Sequence, residues 1–311
     1  MKKVHLIFNP VSGAGHAPQE LEQIRAKLLD QVELEVQFTS PEESATALAE
    51  TAIAQGADLI IASGGDGTVS AVATVLMHSN IPLAVIPRGT ANAFAAALDI
   101  PTAIDQACDV ILQGQPQQID CATCNGQPMI LLAGIGLEAA TIGETDRDSK
   151  QRFGFFAYLS TAVQQLQKLQ PFQATLDFGD RQQTFDDVLA ITVANLAPST
   201  SILAQGTGGA SGQDALLDVT VLTMADEGEL FGLLSASYEL FQAALQDNPA
   251  DHPHIQSWRT AELTVTTMSP QALLLDGELL EEITTAQFAA VPRSLWVQLP
   301  PKAATPPEES P

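Results

Sequence analysis

Residues 61–72 read IASGGDGTVSAV: an apolar run, the hexapeptide SGGDGT, then apolar residues at helical spacing. A buried strand that ends in glycines and passes straight into a helix leaves its backbone N–H groups open to an anion, because no Cβ stands in the way. The positive end of the helix dipole, in a helix expected to start at Gly67 or Thr68, adds to the attraction, and both features favour phosphate. The central carboxylate, Asp66, opposes it unless a divalent metal stands between. Mg2+ suits that place, since it binds few carboxylates and keeps phosphate oxygens and waters around it. Asp66 is therefore read as a metal or metal-water ligand, with Gly64, Gly65, Gly67 and Thr68 as the cradle. The competing reading is an Asp N-cap on an ordinary tight turn.

Outward from this stretch the first third of the chain alternates. VHLIF is a strand, residues 18–29 have helical apolar spacing at Leu21, Ile24, Leu28 and Leu29, and VELEVQF has period two. PEESATALAETAIAQG reads as a helix closed by Gly56, DLIIAS as a strand, GTVSAVATVLMH as a helix, PLAVIP as a strand and GTANAFAAAL as a helix. Strand and helix in alternation imply a mostly parallel sheet covered on both faces, in which ligands sit at the carboxyl ends of strands. Three glycine-containing turns fall at such ends. The first, FNPVSGAG, offers Asn9, Ser12 and Gly13; the second is SGGDGT; the third, PRGTANAFA, offers Gly89, Thr90 and Asn92. Neither a Walker A sequence nor GxGxxG is present. Arg88, beside the third turn, reads as a phosphate partner or as an exposed side chain.

The pattern changes near residue 115. Strand-like runs follow: QQIDCATCNGQPMILLAGIG, FQATLDFG, TFDDVLAITVAN, LLDVTVLT, AELTVTT, QALLLDGELL and QFAAVPRSLWVQLP. Asn125-Gly126 is a tight-hairpin signal. Two helices are expected, over 154–167 and 229–246. The expected architecture is an N-terminal α/β domain with a mostly parallel sheet over 1–122 and an antiparallel β-rich sandwich domain over 123–289. The strand at 290–300 is expected to return to the first domain, and the Pro-rich acidic tail, 301–311, reads as disordered.

Composition excludes some functions. The 311 residues carry 13 Lys and Arg against 37 Asp and Glu, a formal net charge of −24, so no nucleic-acid partner is expected. Cys108, Cys121 and Cys124 are an odd number, and CATC has no second ligand pair, so they read as buried thiols rather than a disulfide, redox or metal site. No apolar run is long enough to span a membrane, and the first strand is too short an apolar run for a signal peptide. A cytoplasmic protein is expected. Arg147, Lys150 and Arg152, followed by Phe153, Phe155, Phe156 and Tyr158, suit either transient contact with a membrane surface or core packing.

The combination NPVSG, GGDGT and PRGTANAFA, in that order, resembles the diacylglycerol kinase catalytic-domain family, and within it the soluble bacterial lipid kinases of the YegS and BmrU type. IDCATCNGQPMILLAGIGLEA, KQRFGFFAYL, DALLDV and LLLDGELL agree with it, so the resemblance covers about Lys3 to Pro300. It implies a phosphotransferase that uses ATP and Mg2+ on a lipid alcohol, diacylglycerol first, and it leaves room for a homodimer and for peripheral membrane contact. It implies nucleotide contacts from Thr39, Thr90 and the turn from Gly64 through Val69 and Ser70. Asp66 would serve the phosphates and metal. Asp214 would hold a Mg2+ with the backbone carbonyls of Ser211 and Leu216, and Glu278 would be the general base. Three positions depart from the pattern: Ala93 where Asp is common, Ala215 where Gly is usual, and Glu138 where Asp is common. Phosphoryl transfer needs positioning and charge neutralisation more than covalent help, and a carboxylate in reach of the acceptor hydroxyl can take its proton. The bland alternative for Glu278 is an exposed Asp-Gly hairpin turn. Two rival functions remain at this point: an NAD kinase, which shares GGDGT but carries an Asn-Glu pair not found here, and a nucleotide- or lipid-binding regulator without catalysis.

Overall fold

The computed structural model describes residues 1–13, 15–136, 171–224, 235–236, 239–240, 242–243 and 248–301. Glu138, the basic-aromatic segment from Arg147 to Tyr158, the helix expected over 154–167 and the tail after Pro301 lie outside the described residues. Of the helix expected over 229–246, the described pairs 235–236, 239–240 and 242–243 are helical. The chain divides into two compact units. The first comprises Met1–Gln118 and the segment from Leu295 on, and the second Ile119–Ser294.

In the first unit the elements are β1 (Lys3–Phe8), α1 (Ala17–Leu28), β2 (Glu33–Phe38), α2 (Ala45–Ala54), β3 (Leu59–Gly64), α3 (Asp66–Leu76), β4 (Leu83–Pro87), α4 (Ala93–Ala97) and α5 (Ile104–Gln113). The strands lie in the order β2-β1-β3-β4, all parallel. β1, β3 and β4 are buried along nearly their whole length, as strands covered on both faces must be. Against them pack Ile24 and Leu28 of α1 and Ala107, Cys108 and Ile111 of α5. The helices end where local chemistry dictates. Ser44 Oγ accepts the Ala47 N–H at 3.2 Å to open α2, and Gly56, at φ +77°, turns the chain out of it.

Two expectations for this unit need correction. The helix expected over 89–98 is only α4, because Asn92 is left-handed at φ +48° and breaks the run. The segment before residue 115, which carries no expected helix, forms α5. Its buried Ala107, Cys108, Val110 and Ile111 have helical spacing. The last carbonyls of α5 are met from far along the chain: Gln298 Nε2 donates to Gly114 O at 2.8 Å and to Ile111 O at 3.3 Å. Its neighbour Val297 pairs in parallel with Leu83 of β4.

The second unit is antiparallel throughout its registered pairs. After β5 (Gln115–Cys124) come β6 (Gln127–Met129), β7 (Leu132–Gly136), β8 (Phe172–Asp177), β9 (Gln182–Ala194) and β10 (Leu217–Thr223). Then follow β11 (Ile255–Thr260), β12 (Glu262–Gln271), β13 (Leu273–Leu275), β14 (Glu278–Leu279) and β15 (Ile283–Leu299). The strand path is β14-β13-β7-β9-β8-β12-β15, with β10 paired to β9 and β11 paired to β10. Asn125 and Gly126, at φ +51° and +78°, close the β5–β6 hairpin as the Asn-Gly signal requires. One core cluster takes alternate residues of many strands, among them Ile135, Leu176, Ile191, Val219, Val265 and Phe288. β11 is an unexpected strand: IQSWRT has little apolar alternation, and β10 supplies its pairing. Cys108, Cys121 and Cys124 are free and buried, and burial pushes the last two up to about 12 and about 11, so CATC carries inert thiols. Among the described residues no helix is long and apolar enough to cross a membrane.

Candidate active site

The three turns leave one edge of the first unit's sheet side by side. In register, Phe8 lies beside Ser63 and Gly64 beside Pro87, so β1, β3 and β4 end level. The turns are then tied to one another. Asn9 Nδ2 donates to Thr68 Oγ1 at 3.1 Å, while Asn9 Oδ1 accepts the Val11 N–H at 3.1 Å and so shapes its own turn. Asp66 Oδ1 accepts the Phe94 N–H at 3.1 Å, joining the second turn to the third. Within the third turn Asn92 Oδ1 accepts the Gly89 N–H at 2.7 Å, and Asn92 Nδ2 returns a bond to Gly89 O at 3.0 Å. Thr39, just past β2, donates its N–H to Phe8 O at 3.0 Å and so stands at the same edge.

The glycines have distinct reasons. A Cβ on Gly89 would stand 2.6 Å from Gly65 Cα, so these two turns meet backbone to backbone. A Cβ on Gly64 would stand 2.5 Å from Thr68 Oγ1. Gly67 differs: nothing lies within 4 Å of its Cβ position, and it is exposed at the start of α3. That open space beside the helix N-terminus is where an anion meets backbone dipoles without displacing protein atoms.

Asp66 is not the N-cap. Gly65 holds that position and Asp66 is the first residue of α3, half-buried. Val69 and Ser70, which the resemblance groups with the turn, are buried on α3, while Thr90 and Gly13 are exposed and Ser12 is half-buried. Arg88 corrects the sequence reading most. It is 5% exposed, stacked at 4.0 Å over the Phe8 ring and ion-paired with Glu20, to which Nε donates at 2.7 Å. Its two terminal nitrogens donate to Asn9 O and Ser12 O, each at 2.9 Å. Arg88 is therefore a clamp on the first turn, neither exposed nor free for phosphate. Its role was hidden because Glu20 lies 68 residues away in sequence.

The second unit holds the other candidates on two turns of its own. Asp214 is exposed, and its Oδ1 accepts the Leu216 N–H at 3.1 Å in an Asx turn; Ser211, also exposed, lies three residues before it. Ala215 stands at φ +60°, the left-handed region in which glycine is at ease, and this explains the glycine usual at that position. The strain is met by Asp120. This buried carboxylate accepts the Ala215 N–H at 2.7 Å and, on its other oxygen, the N–H of Arg293 at 2.7 Å; Arg293 is also left-handed. A third carboxylate, Asp218, fastens the neighbouring glycine-rich loop. It accepts from Thr207 and from Arg259 Nε, while Arg259 also donates to Gly209 O at 2.9 Å. Burial raises the Asp218 pKa.

Glu278 is exposed and opens β14, paired with Leu275 across a two-residue turn of Asp276 and Gly277, both left-handed. The Asp276 carboxylate accepts three successive backbone N–H groups, those of Ile130 and Leu131 at 2.8 Å and Leu132 at 3.1 Å. In the sequence Asp276 is only the aspartate of an Asp-Gly turn signal, and Asp120 has no motif to mark it.

Ligand fit can be judged from these donors. The open cradle at Gly67 suits a nucleotide phosphate, and Asp66 has a second carboxylate oxygen for a metal-bound water. Among the described residues no three His, Cys, Asp or Glu side chains converge as a metal cage. The donor set therefore suits a cation that arrives with phosphate oxygens and waters.

Comparison with known proteins follows the same two units. Residues 3–124 match the model of the diacylglycerol kinase catalytic domain, and residues 132–299 match the YegS C-terminal NAD kinase beta sandwich-like domain. A Stenotrophomonas maltophilia protein named "Probable lipid kinase YegS-like" is 32% identical over 86% of this chain and 87% of its own. The diacylglycerol kinase of Bacillus subtilis is 28% identical over 98% of each chain. A diacylglycerol kinase crystal structure from Bacillus anthracis superposes with a TM-score of 0.72 at 21% identity, covering 96% of this chain and 97% of that one. An NAD kinase from Archaeoglobus fulgidus in complex with ATP superposes at 0.51 with 12% identity, over 94% and 92% of the two chains, and shares the fold alone.

Proposed function

Because this chain belongs to the diacylglycerol kinase catalytic-domain family, with a YegS-type C-terminal domain, we propose that it is a kinase that transfers the γ-phosphate of ATP to a lipid hydroxyl, with diacylglycerol the leading acceptor. The observation that carries the proposal is the meeting of three strand-end turns around Asp66 and the open backbone at Gly67.

In this proposal the turns of Asn9–Gly13, Gly64–Thr68 and Gly89–Asn92 orient the donor phosphates, with Thr39 and Thr90 at the nucleotide. Asp66, held by the Phe94 N–H, presents its other oxygen to a Mg2+ ion carried by the phosphates. A Mg2+ ion held there would supply neutralisation of the charge on the transferred phosphoryl group. Glu278 takes the proton of the acceptor hydroxyl as the new P–O bond forms, a role that contributes about 10²–10⁴-fold in rate. Asp214, with the carbonyls of Ser211 and Leu216, is proposed to hold a second Mg2+. Membrane contact is proposed to be peripheral and transient, as delivery of a lipid acceptor requires; a homodimer is compatible with the proposal.

The test is transfer of labelled γ-phosphate from ATP-Mg2+ to lipid alcohols in mixed micelles, with NAD in a parallel tube. Label in a lipid, lost in Asp66→Ala and Glu278→Gln, is the expected result. Label in NAD alone would move the chain to the other branch of the fold. ATP binding without transfer to any acceptor would make it a regulator.

A further inference from the structure

The feature that the proposed reaction does not use is the side chain two residues before its base. Asp276 is a carboxylate in a left-handed turn position, φ +47°, where most residues are strained. Aspartate tolerates that conformation, but glycine would do so more easily, and glycine would suffice if the position only turned the chain. Its oxygens instead enter a nest of consecutive backbone N–H groups. Oδ2 takes the Ile130 N–H, and Oδ1 takes those of Leu131 and Leu132. Such concave rows of N–H groups bind anions, and bonds to an ionised acceptor are about twice as strong as neutral ones. The Asp276 N–H adds a fourth bond, to Leu132 O at 2.9 Å, and Leu275 pairs in register with Ala133.

The nest is itself held from behind. Asn195 Nδ2 donates to Ile130 O at 2.8 Å, and the N–H groups of Asn195 and Leu196 donate to Leu131 O at 2.8 and 3.0 Å. The hairpin that bears Glu278 is therefore fastened at its turn to a segment fixed on both sides. Glu278 sits one residue past Gly277, on the strand paired with Leu275. With the side chain exposed, its direction is set by the hairpin rather than by packing.

We propose that Asp276 is a positioning residue: by occupying the nest at Ile130–Leu132 it holds the hairpin in the one orientation that points Glu278 at the acceptor hydroxyl. This inference rests on Glu278 being the base.

The experiment compares Asp276→Asn, Asp276→Gly and Glu278→Gln, each alone, and Asp276→Asn combined with Glu278→Gln. All use the full chain with ATP-Mg2+ and the lipid alcohol labelled in the acceptor panel. Asn keeps the left-handed turn but turns an N–H₂ toward the Ile130 N–H. Gly relaxes the turn and removes the anchor, so its folding is not at risk from strain. The expected result is a fall in kcat of about 10–100-fold in both Asp276 variants, the scale of a misplaced reacting group, with KM for ATP within about twofold. Asp276→Asn should add less than about twofold in the Glu278→Gln background, since residues that act as a unit are not additive. Wild-type kcat in the Asp276 variants, alongside a large loss in Glu278→Gln, would overturn the inference and leave the proposed function standing. Losses that multiply in the double variant would also overturn it. Undiminished turnover in Glu278→Gln would instead remove Glu278 as the base, and this inference with it.

Discussion

The two units hold their candidate residues by different means. In the first, the turns brace one another: Asn9 reaches Thr68, Asp66 reaches the Phe94 N–H, and Asn92 closes on Gly89 within its own turn. The braces are residues of the motifs themselves. In the second, each turn is moored by a carboxylate to backbone N–H groups distant in sequence. Asp120 reaches 95 residues to Ala215 and 173 to Arg293, and Asp276 reaches 146 to Ile130. A parallel sheet brings consecutive turns to one edge without further help, so short motifs suffice there. An antiparallel sandwich scatters its loops, and each candidate turn then needs a separate anchor.

Substitutions can break or sharpen this contrast. The largest effect is expected at the Arg88–Glu20 brace of the first unit. Arg88→Ala strands Glu20 and two carbonyls and should lower stability by about 3–5 kcal/mol, as loss of one partner of a buried pair does. Lys should not restore it, because it lacks the fork that reaches three acceptors. Thermal and urea unfolding of both variants would decide this, and a wild-type midpoint for Lys would show that the fork is dispensable.

Next come the first unit's glycines. Gly89→Ala sets a Cβ against Gly65 and should cost about 1–3 kcal/mol. Gly67→Ala should leave the melting temperature unchanged yet raise KM for ATP, because the proposed function puts the donor phosphate in its open space. Equal effects at both positions would erase the distinction between packed and open glycines. In the second unit, Asp120→Ala leaves two backbone N–H groups unpaired and should cost about 1–3 kcal/mol, with no change in ATP affinity measured by calorimetry.

Smaller still, Ala215→Gly relieves a left-handed alanine and should gain up to about 1 kcal/mol while the Asp214 turn is kept. A loss of stability would mean that the Asp120 bond, not the side chain, sets that conformation. The smallest effect is expected from pH. Burial raises the Asp218 pKa, so the folded chain holds that proton more tightly than the unfolded one. Between the ordinary carboxylate pKa and the raised value the native state is the more protonated, and stability should fall as pH rises through that window. Asp218→Asn should flatten the slope in unfolding measured across that window.

This contrast also explains what could be read from the chain. The alternation of the first unit, its three turns and the Asn-Gly hairpin follow from local residue patterns, and each stands where those patterns put it. α4 came out shorter because Asn92 took a left-handed conformation to serve Gly89, a demand of the site that overrode propensity. α5 has helical apolar spacing in a segment with no expected helix, and β11 gains its pairing from β10 rather than from its own pattern. Arg88, Asp120 and Asp276 were illegible in their roles, since a charged side chain in a one-dimensional pattern looks solvated whether or not its partner waits far along the chain.

The capping of α5 by Gln298 has a consequence in time. A ribosome delivers the whole of the second unit before it delivers Val297 and Gln298. Until then β4 has β3 on one flank only, and the last carbonyls of α5 lack their amide. The nascent first unit is thus a nearly finished sheet with one open flank, the kind of edge that recruits other chains. Its completion waits for Val297 and Gln298, and a stop codon before Val297 would leave it permanently unlatched.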